Sequence, residues 1–481
     1  MHAHRKQRGA FSVMSVPIMF VMLGMCGLAL DLGMIYNRRV ELHGLARTAA
    51  LSAARELNGT AAGITSALAK AGEAAGRLKY RYGSPVPWSD DAVKFSNSPA
   101  ADATWVGAEE ARARPGDRFY VKVDTSALAQ QLSVVQPIIM PALTGSSTAL
   151  SLGEVAVAGR SVVNILPMAI CAMSPVPGAA RDIASAPQEL VEYGFRRGVS
   201  YDLMRLNPNG STPANFVVDP VAPPGALGAI ANTSVSTVSP FICAGKMWIP
   251  RVTGGPIRVT SPFPIASLYR ELNSRFDDYS GAVCDPHGAP PDFNIKIYAH
   301  DVSTGIPWMN PKPSSPSATG HAEATRLHTV ADPATVPSGT TAGMYGPLWA
   351  YARAVKYATY REGVAEPGAG YPAFATTDWA KLYPPGPAAA SYPSRPPYFA
   401  SSGANYAAPA SSHLSLSVIG RRVLHIPLLT CPVAPGTNVG AYAVAVGKFF
   451  MTVPATSTSV HAEFVGIAHE STISGEVILY Q

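Results

Sequence analysis

The sequence GAFSVMSVPIMFVMLGMCGLAL, residues 9–30, contains no charged residue. In a helix with a rise of about 1.5 Å per residue, a stretch of this length spans the roughly 30 Å hydrocarbon core of a bilayer. Arg5, Lys6 and Arg8 precede it, and Asp31 ends it. The stretch therefore predicts a transmembrane helix preceded by a short basic arm.

Two other interpretations of this stretch are a cleaved secretory signal and a buried core helix. A signal peptide ends in a small-residue cleavage site, after which the helical pattern breaks. Here the pattern continues through Ile35, Tyr36, Val40 and Leu42, and no A-x-A junction follows the apolar run. The sequence favours a retained anchor, in which Pro17 is tolerated as it is in other membrane helices.

The composition of the whole chain excludes several classes of protein. Only 14% of the 481 residues are charged, whereas there are 42 Gly and 44 Pro. So few charges disfavour a doubly wound enzyme, whose helices expose charged faces, and so much Gly and Pro excludes an all-helical fold. The net charge of +6 is small and not concentrated on one stretch, so we expect no nucleic-acid partner. What remains is an α+β fold with a loop-rich, mostly β body.

Small and apolar residues continue beyond the apolar stretch at steps of three and four over residues 42–78, which is the helical period. Asn58-Gly59 signals a turn, and Thr60 suits the N-cap of a new helix. We therefore expect one helix as far as about Leu57, a corner, and a second helix as far as about Tyr82.

Ala46, Ala49 and Ala53 fall on one face of the first of these helices. Small side chains allow another backbone to approach closely. The face packs either on the protein's own body or against helices of partner proteins, including further copies of this chain. The sequence leaves both possibilities open.

Several features follow in order along the N-terminal segment: Arg8-Gly9, the apolar stretch, Asp31-Leu-Gly33, Tyr36 and the run AALSAA at residues 49–54. This order resembles that of TadG-like proteins of the tight-adherence (Tad/Flp) pilus assembly system. Weaker similarities to longer TadG-like proteins without a recognisable von Willebrand module extend over the body, in LPMAICAMSP, ELNSRFDDYSG, PPDFNIKIY, GPLWAYARAV, RRVLHIPLLTCPV and GKFFMTVPATSTSVHAEFVGIA.

The resemblance implies a pilus biogenesis component that is anchored in the inner membrane and projects into the envelope. It does not imply catalysis, and we expect neither enzymatic activity nor a cofactor. Prepilin-like relatives are cut after a glycine and carry glutamate as the fifth residue of the mature chain. Counted from Ala10, the fifth residue here is Met14. The pattern therefore argues against prepilin-type cleavage between Gly9 and Ala10.

The body begins where Gly83-Ser-Pro-Val-Pro breaks the helical pattern. Runs that are typical of strands lie at 119–123, 153–158, 161–163, 215–218, 257–259, 294–298, 414–418, 422–429, 439–446, 449–453, 462–465 and 477–480. Helices are predicted over 264–278 and 346–360. The predicted organisation is a cytoplasmic basic arm (1–9), a transmembrane helix (10–36), juxtamembrane helices (37–82), a small β-rich unit (83–165) and a Pro/Gly-rich, β-rich, disulfide-braced domain (166–481).

The cysteines bear on the compartment of the body. Cys26 lies in the apolar stretch, whereas Cys171, Cys243, Cys284 and Cys431 lie outside it. The spacing lacks the close C-x-x-C pairs of zinc sites, so we expect two disulfides, with free buried thiols as the alternative. Of the three possible pairings, the preferred one joins Cys171 to Cys431 and Cys243 to Cys284. Disulfides require an oxidising compartment, which places the body in the periplasm or at the cell surface.

We predict no catalytic or metal site from the sequence. Residues 301–305, DVSTG, are the nearest match to the D-x-S-x-S of a von Willebrand metal site, but the last serine is replaced by glycine. His321, Glu323 and His328 lie in an Ala/Thr-rich stretch, and we interpret them as solvated loop residues. G-x-S-x-G, the P-loop and G-x-G-x-x-G are all absent from the sequence.

The main hypothesis is a membrane-anchored structural component of Tad/Flp pilus biogenesis, minor pilin-like or tip-associated, that acts through protein–protein contacts. A second is a membrane-tethered surface binding protein or adhesin, and a third is an envelope hydrolase. The expected partners are the inner membrane, other pilus assembly or pilin-like proteins and, through the N-terminal helix, further copies of the chain. We expect a single pass through a bacterial inner membrane, with the N-terminus in the cytoplasm.

Overall fold

The computed structural model describes residues 10–57, 61–80, 84–100, 102–115, 118–128, 134–135, 139, 149–160, 162–184, 187–225, 231–299, 306–323, 325–475 and 477–480. The fold is α+β, with a long apolar N-terminal helix followed by a strand-rich body, as predicted. The chain divides into two units. The first comprises Met1–Ser161 with Glu476–Gln481, and the second comprises Val162–Gly475.

The first unit begins with a single helix, α1 (Ala10–Glu56), of 47 residues. It ends within one residue of the predicted position, and the predicted corner at residues 58–59 lies outside the described residues. The second helix, α2 (Ala61–Arg77), ends earlier than expected, because the chain then forms a short hairpin. The two strands of this hairpin are β1 (Lys79–Tyr80) and β2 (Ser84–Pro85). A short helix, α3 (Ala108–Ala113), completes the helices described in this unit.

A four-stranded antiparallel sheet forms the rest of the first unit's core. Its strands, in spatial order, are β21 (Val477–Tyr480), β7 (Val155–Arg160), β4 (Tyr120–Asp124) and β3 (Val93–Ser96). A separate pair joins β5 (Val134–Val135) to β6 (Leu150–Ser151). Strand β21 completes the sheet by pairing with β7, so the end of the chain lies in this unit and not in the domain 166–481 expected from the sequence.

The second unit is built on an eight-stranded sheet. Its spatial order is β12-β20-β19-β17-β8-β13-β14-β18, and only the pairing of β17 with β8 is parallel. The strands are β8 (Met168–Cys171), β12 (Ser200–Asp202), β13 (Asn215–Val218), β14 (Ile257–Thr260), β17 (Val423–Leu429), β18 (Val439–Ala441), β19 (Ala443–Met451) and β20 (His461–Ile467). Most of these strands lie where the alternating apolar runs predicted them.

Smaller elements surround this sheet. A three-stranded sheet contains β9 (Ala179–Arg181), β10 (Glu189–Glu192) and β11 (Phe195–Arg196), and a hairpin joins β15 (Gly320–Glu323) to β16 (Arg326–Thr329). The helices are α4 (Val235–Ala244), α5 (Ile265–Asn273), α6 (Trp379–Leu382) and α7 (Glu470–Ile473). Helix α5 lies within the predicted 264–278 helix, whereas α4 was not predicted.

The helix predicted over 346–360 is wrong. This segment is irregular, with one short 3-10 turn at Tyr357–Thr359. The amides of Ala350, Tyr351 and Ala352 donate to the buried carboxylate of Glu463 on β20, over 2.5, 3.0 and 2.6 Å. Because a distant side chain satisfies these backbone groups, the segment does not need helical hydrogen bonds.

The strand predicted over 294–298 is also wrong, since these residues pair with no strand among the described residues. The guanidinium of the fully buried Arg422 donates to the carbonyls of Asn294 and Lys296, at 2.8 and 2.9 Å. A side chain thus replaces the neighbouring strand. Residues 414–418, also predicted as a strand, contain a 3-10 turn at Leu414–Leu416.

Candidate functional site

In the first unit, an exposed apolar surface covers α1 from Met14 to Tyr36, except on the side of Gly27 and Asp31. As far as Met25, large apolar side chains are exposed on every side of the helix, and beyond it they are exposed on the sides away from Gly27 and Asp31. They include Val16, Ile18, Met19, Phe20, Val21, Met22, Leu23, Met25, Leu28, Leu30 and Leu32. A helix at the surface of a soluble domain exposes a polar face and buries an apolar stripe, which is not the pattern here. This helix is long and apolar enough to cross a membrane.

The acidic residue at the end of the apolar stretch does not face outward. Asp31 is 2% exposed, and its carboxylate accepts a hydrogen bond from the amide of Ile139 at 3.1 Å. One turn earlier, a β-carbon at Gly27 would lie 2.2 Å from a side-chain carbon of Ile139. Glycine therefore allows the close approach that brings the Ile139 amide to Asp31.

The alanine face of α1 is buried inside the first unit. Ala46, Ala49 and Ala53 are fully buried. They share one apolar cluster with side chains of α2 and of the four-stranded sheet, among them Ile64, Ala67, Leu68, Phe95, Val121, Val123, Ala156 and Ala158. Of the two arrangements left open by the sequence, the structure has the internal one, and it leaves no exposed surface on these alanines for a partner helix.

A polar contact holds α1 at the start of this packed region. The Arg39 guanidinium lies 2.6 Å from a carboxylate oxygen of Glu154, which precedes β7, and His43 lies 3.3 Å from the other oxygen. The Glu154 amide in turn donates to the Thr125 hydroxyl at 2.8 Å. Because Arg39 is largely exposed, the ion pair orients the helix more than it stabilises the fold.

Two disulfides brace the second unit. Cys171 on β8 is bonded to Cys431, and Cys243 on α4 is bonded to Cys284. These are the pairings preferred from the sequence. They join residues 260 and 41 positions apart, and Cys26 of α1 carries a free, exposed thiol.

The second unit also contains a cleft of about 570 Å³, and the titratable side chains lining it are all basic: Lys246, Arg275, His287, Arg421 and His425. Burial, reinforced by the nearby Arg421, lowers the pKa of the Arg275 guanidinium. Both arginines donate to backbone carbonyls in the last turn of α4, where carbonyls have no partner within the helix. The described residues that line the cleft include no Ser, Cys, Asp or Glu.

The histidine group at residues 321–328 differs from its prediction. His321 and Glu323 lie on β15 and His328 lies on β16, so they are not loop residues. One ligand atom from each of the three side chains lies within 4.8 Å of those of the other two, and the side chain of His328 is buried. The sequence did not predict this cluster of three side chains, because the hairpin was not recognised. The H-x-E alternation over residues 321–323 is nevertheless a strand pattern.

The structure does not test the predictions about prepilin-type cleavage after Gly9 and about residues 301–305. Gly9 lies outside the described residues, and Ala10 is the first residue of α1. Residues 301–305, the nearest match to a von Willebrand metal site, also lie outside the described residues.

One comparison with known proteins bears on the N-terminal helix. Residues 9–56 match the model of a family described as Flp pilus-assembly TadE/G-like. The matched segment coincides with α1 to within one residue. The predicted resemblance to TadG-like proteins is thereby confirmed for this segment. Comparisons with curated proteins and with solved structures gave no significant match.

Proposed function

Starting from the TadE/G-like segment at residues 9–56, we propose that this protein is a membrane-anchored structural component of Tad/Flp pilus biogenesis, a minor pilin-like or tip-associated subunit. The observation that carries the proposal is the coincidence of this segment with one continuous helix, α1. The part of the chain that resembles pilus proteins is therefore also the part that could anchor it.

In this proposal, α1 crosses the inner membrane once, with the basic arm at residues 1–9 in the cytoplasm. The exposed apolar surface between Met14 and Tyr36 supports this placement, since in water it would leave many large apolar side chains in contact with solvent. The two disulfides of the second unit support a body outside the cytoplasm, because disulfides persist in oxidising compartments.

The protein would act by binding other proteins and not by catalysing a reaction. Because the alanine face is already covered by the first unit, contacts with other pilus proteins would use the membrane part of α1. Ala29 and Gly33, one turn apart, are both exposed there. Apart from the adjoining part of α1 itself, nothing among the described residues lies within 4 Å of the place a β-carbon at Gly33 would occupy. Small residues at this spacing are favoured where membrane helices pack together.

Fractionation of piliated cells tests the proposal. The full chain should stay with carbonate-washed inner membranes or sheared pili, and capture through a C-terminal tag in mild detergent should recover Flp pilus proteins identified by mass spectrometry. The control is a variant in which residues 1–36 are replaced by a cleavable signal peptide. It should appear free in the periplasm and recover none of them.

Two results would contradict the proposal. One is a full chain found soluble in the cytoplasm. The other is equal recovery of pilus proteins by the membrane-anchored chain and by the periplasmic variant, because the proposed contacts depend on α1.

A further inference from the structure

The hairpin β15–β16 brings three metal-binding side chains to one face. His321 lies directly opposite His328 in the strand register, and their ring centroids are 5.2 Å apart. Glu323 is two residues beyond His321 and therefore points to the same face. Its carboxylate oxygens lie 3.9 Å from Nε2 of His321 and 3.8 Å from Nε2 of His328.

His328 gives an independent reason to expect a ligand at this face. Its side chain is 2% exposed, and neither ring nitrogen has a hydrogen-bond partner among the described residues. A buried polar group without a partner is costly, and such groups in native proteins call for an explanation. Both histidine–carboxylate separations are too long for hydrogen bonds.

The charged groups near His328 leave its ring free. The carboxylate of Asp332 already accepts hydrogen bonds from the Thr329 amide and the Tyr201 hydroxyl. Arg326 donates to the carbonyl of Met173. A neutral imidazole with a free lone pair is the form that binds metal ions.

We infer that His321, Glu323 and His328 bind one divalent transition metal ion, for which zinc is the best chemical fit. Two imidazole nitrogens and one carboxylate oxygen suit zinc, with water as a fourth ligand, whereas calcium and magnesium prefer all-oxygen sites. Zinc bonds of about 2 Å require the ligand atoms to move closer together than they are here. His321 and Glu323, 31% and 55% exposed, have the freedom to close on the fixed ring of His328.

The metal ion would crosslink the two strands of the hairpin β15–β16. The hairpin has only two strands, and such hairpins are marginal by themselves. Among the described residues, a backbone bridge between Asn207 and Leu327 and the hydrogen bond from Arg326 to Met173 connect it to the rest of the unit. A metal ion joining β15 to β16 would hold the two strands together and stabilise the folded state by mass action. This inference does not depend on the pilus role.

Zinc titration of the full chain tests the inference. The tag-free protein, in detergent, is stripped with a chelator, freed of the chelator and titrated with zinc chloride in a calorimeter. Wild-type protein should bind zinc at a site that excess magnesium does not block. His321→Ala should weaken this site by at least about tenfold, since even changes beyond the direct ligands of a metal commonly cost about 10–100-fold.

His287→Ala is the matched control. His287 is 84% exposed and lies 3.7 Å from the carboxylate of Asp285, so it offers an ordinary surface histidine–carboxylate pair. Its replacement should leave the zinc affinity unchanged. X-ray absorption of the zinc-loaded protein should show two imidazole ligands in wild type and one in His321→Ala. Absence of saturable zinc binding in wild type, or equal affinity in His321→Ala, would overturn the inference.

Discussion

Replacing Ala49 with leucine should destabilise the first unit. Ala49 is fully buried where α1 meets α2 and the four-stranded sheet, and many of its neighbours in that cluster are also alanines. Leucine adds three carbons, which would contribute roughly 2 kcal/mol of hydrophobic stabilisation if there were space for them. Because the alanines set a close spacing, we expect packing strain to exceed that gain and to cost a net ~1–3 kcal/mol.

The effect is measured by thermal unfolding of the full-length protein in detergent. For a unit of this size the transition that reports the first unit should fall by roughly 2–12 °C. Ala69→Leu is the matched control, because Ala69 lies on the exposed face of α2 and should tolerate the same change. Unchanged melting of Ala49→Leu, with loss of co-purifying pilus proteins, would refute the reasoning and make the alanine face a surface between proteins.

Two further predictions concern the second unit. Burial raises the pKa of Glu463 to about 7, against three amide donors that lower it, so the folded state holds a proton that the unfolded carboxyl has released. The contribution of Glu463 to the free energy of unfolding should therefore fall as the pH rises from about 4.5 to 7 and stay level above that. Glu463→Gln should remove this fall from a plot of melting temperature against pH. An unchanged plot would contradict a raised pKa at Glu463. Replacing both cysteines of a disulfide by alanine should cost about 5.5 kcal/mol for Cys171–Cys431 and about 4 kcal/mol for Cys243–Cys284, judged from the 260- and 41-residue separations. Thiol labelling of the denatured, unreduced wild type should modify Cys26 alone, and labelling of three or more cysteines would show that at least one of the two disulfides is not formed.

Local sequence patterns identified those parts of the fold whose stabilising contacts are also local or periodic. The apolar run and the steps of three and four predicted α1, and alternation predicted strands such as Asn215–Val218 and Val423–Leu429. The predictions for segments 294–298 and 346–360 were wrong because the contacts that stabilise these segments are neither local nor periodic. Their backbone groups are satisfied by Arg422 and Glu463, side chains more than a hundred residues away.

In the candidate sites too, the sequence identified local patterns but not the contacts made by distant residues. The sequence identified the alanine face but not what covers it, because small residues suit an internal contact and a partner equally well. The sequence also showed His321, Glu323 and His328 close together along the chain. That they share one face depends on the register of the hairpin, and the burial of His328 depends on the tertiary structure. Neither property can be read from spacing alone.

Counting pili on cells that lack this protein tests the central claim most directly. Electron microscopy of the deletion strain should show few or no Flp pili. The full chain should restore them, whereas the chain with residues 1–36 replaced by a cleavable signal peptide should not. Normal pili in the deletion strain, with loss of surface attachment alone, would contradict the account and indicate an adhesin instead.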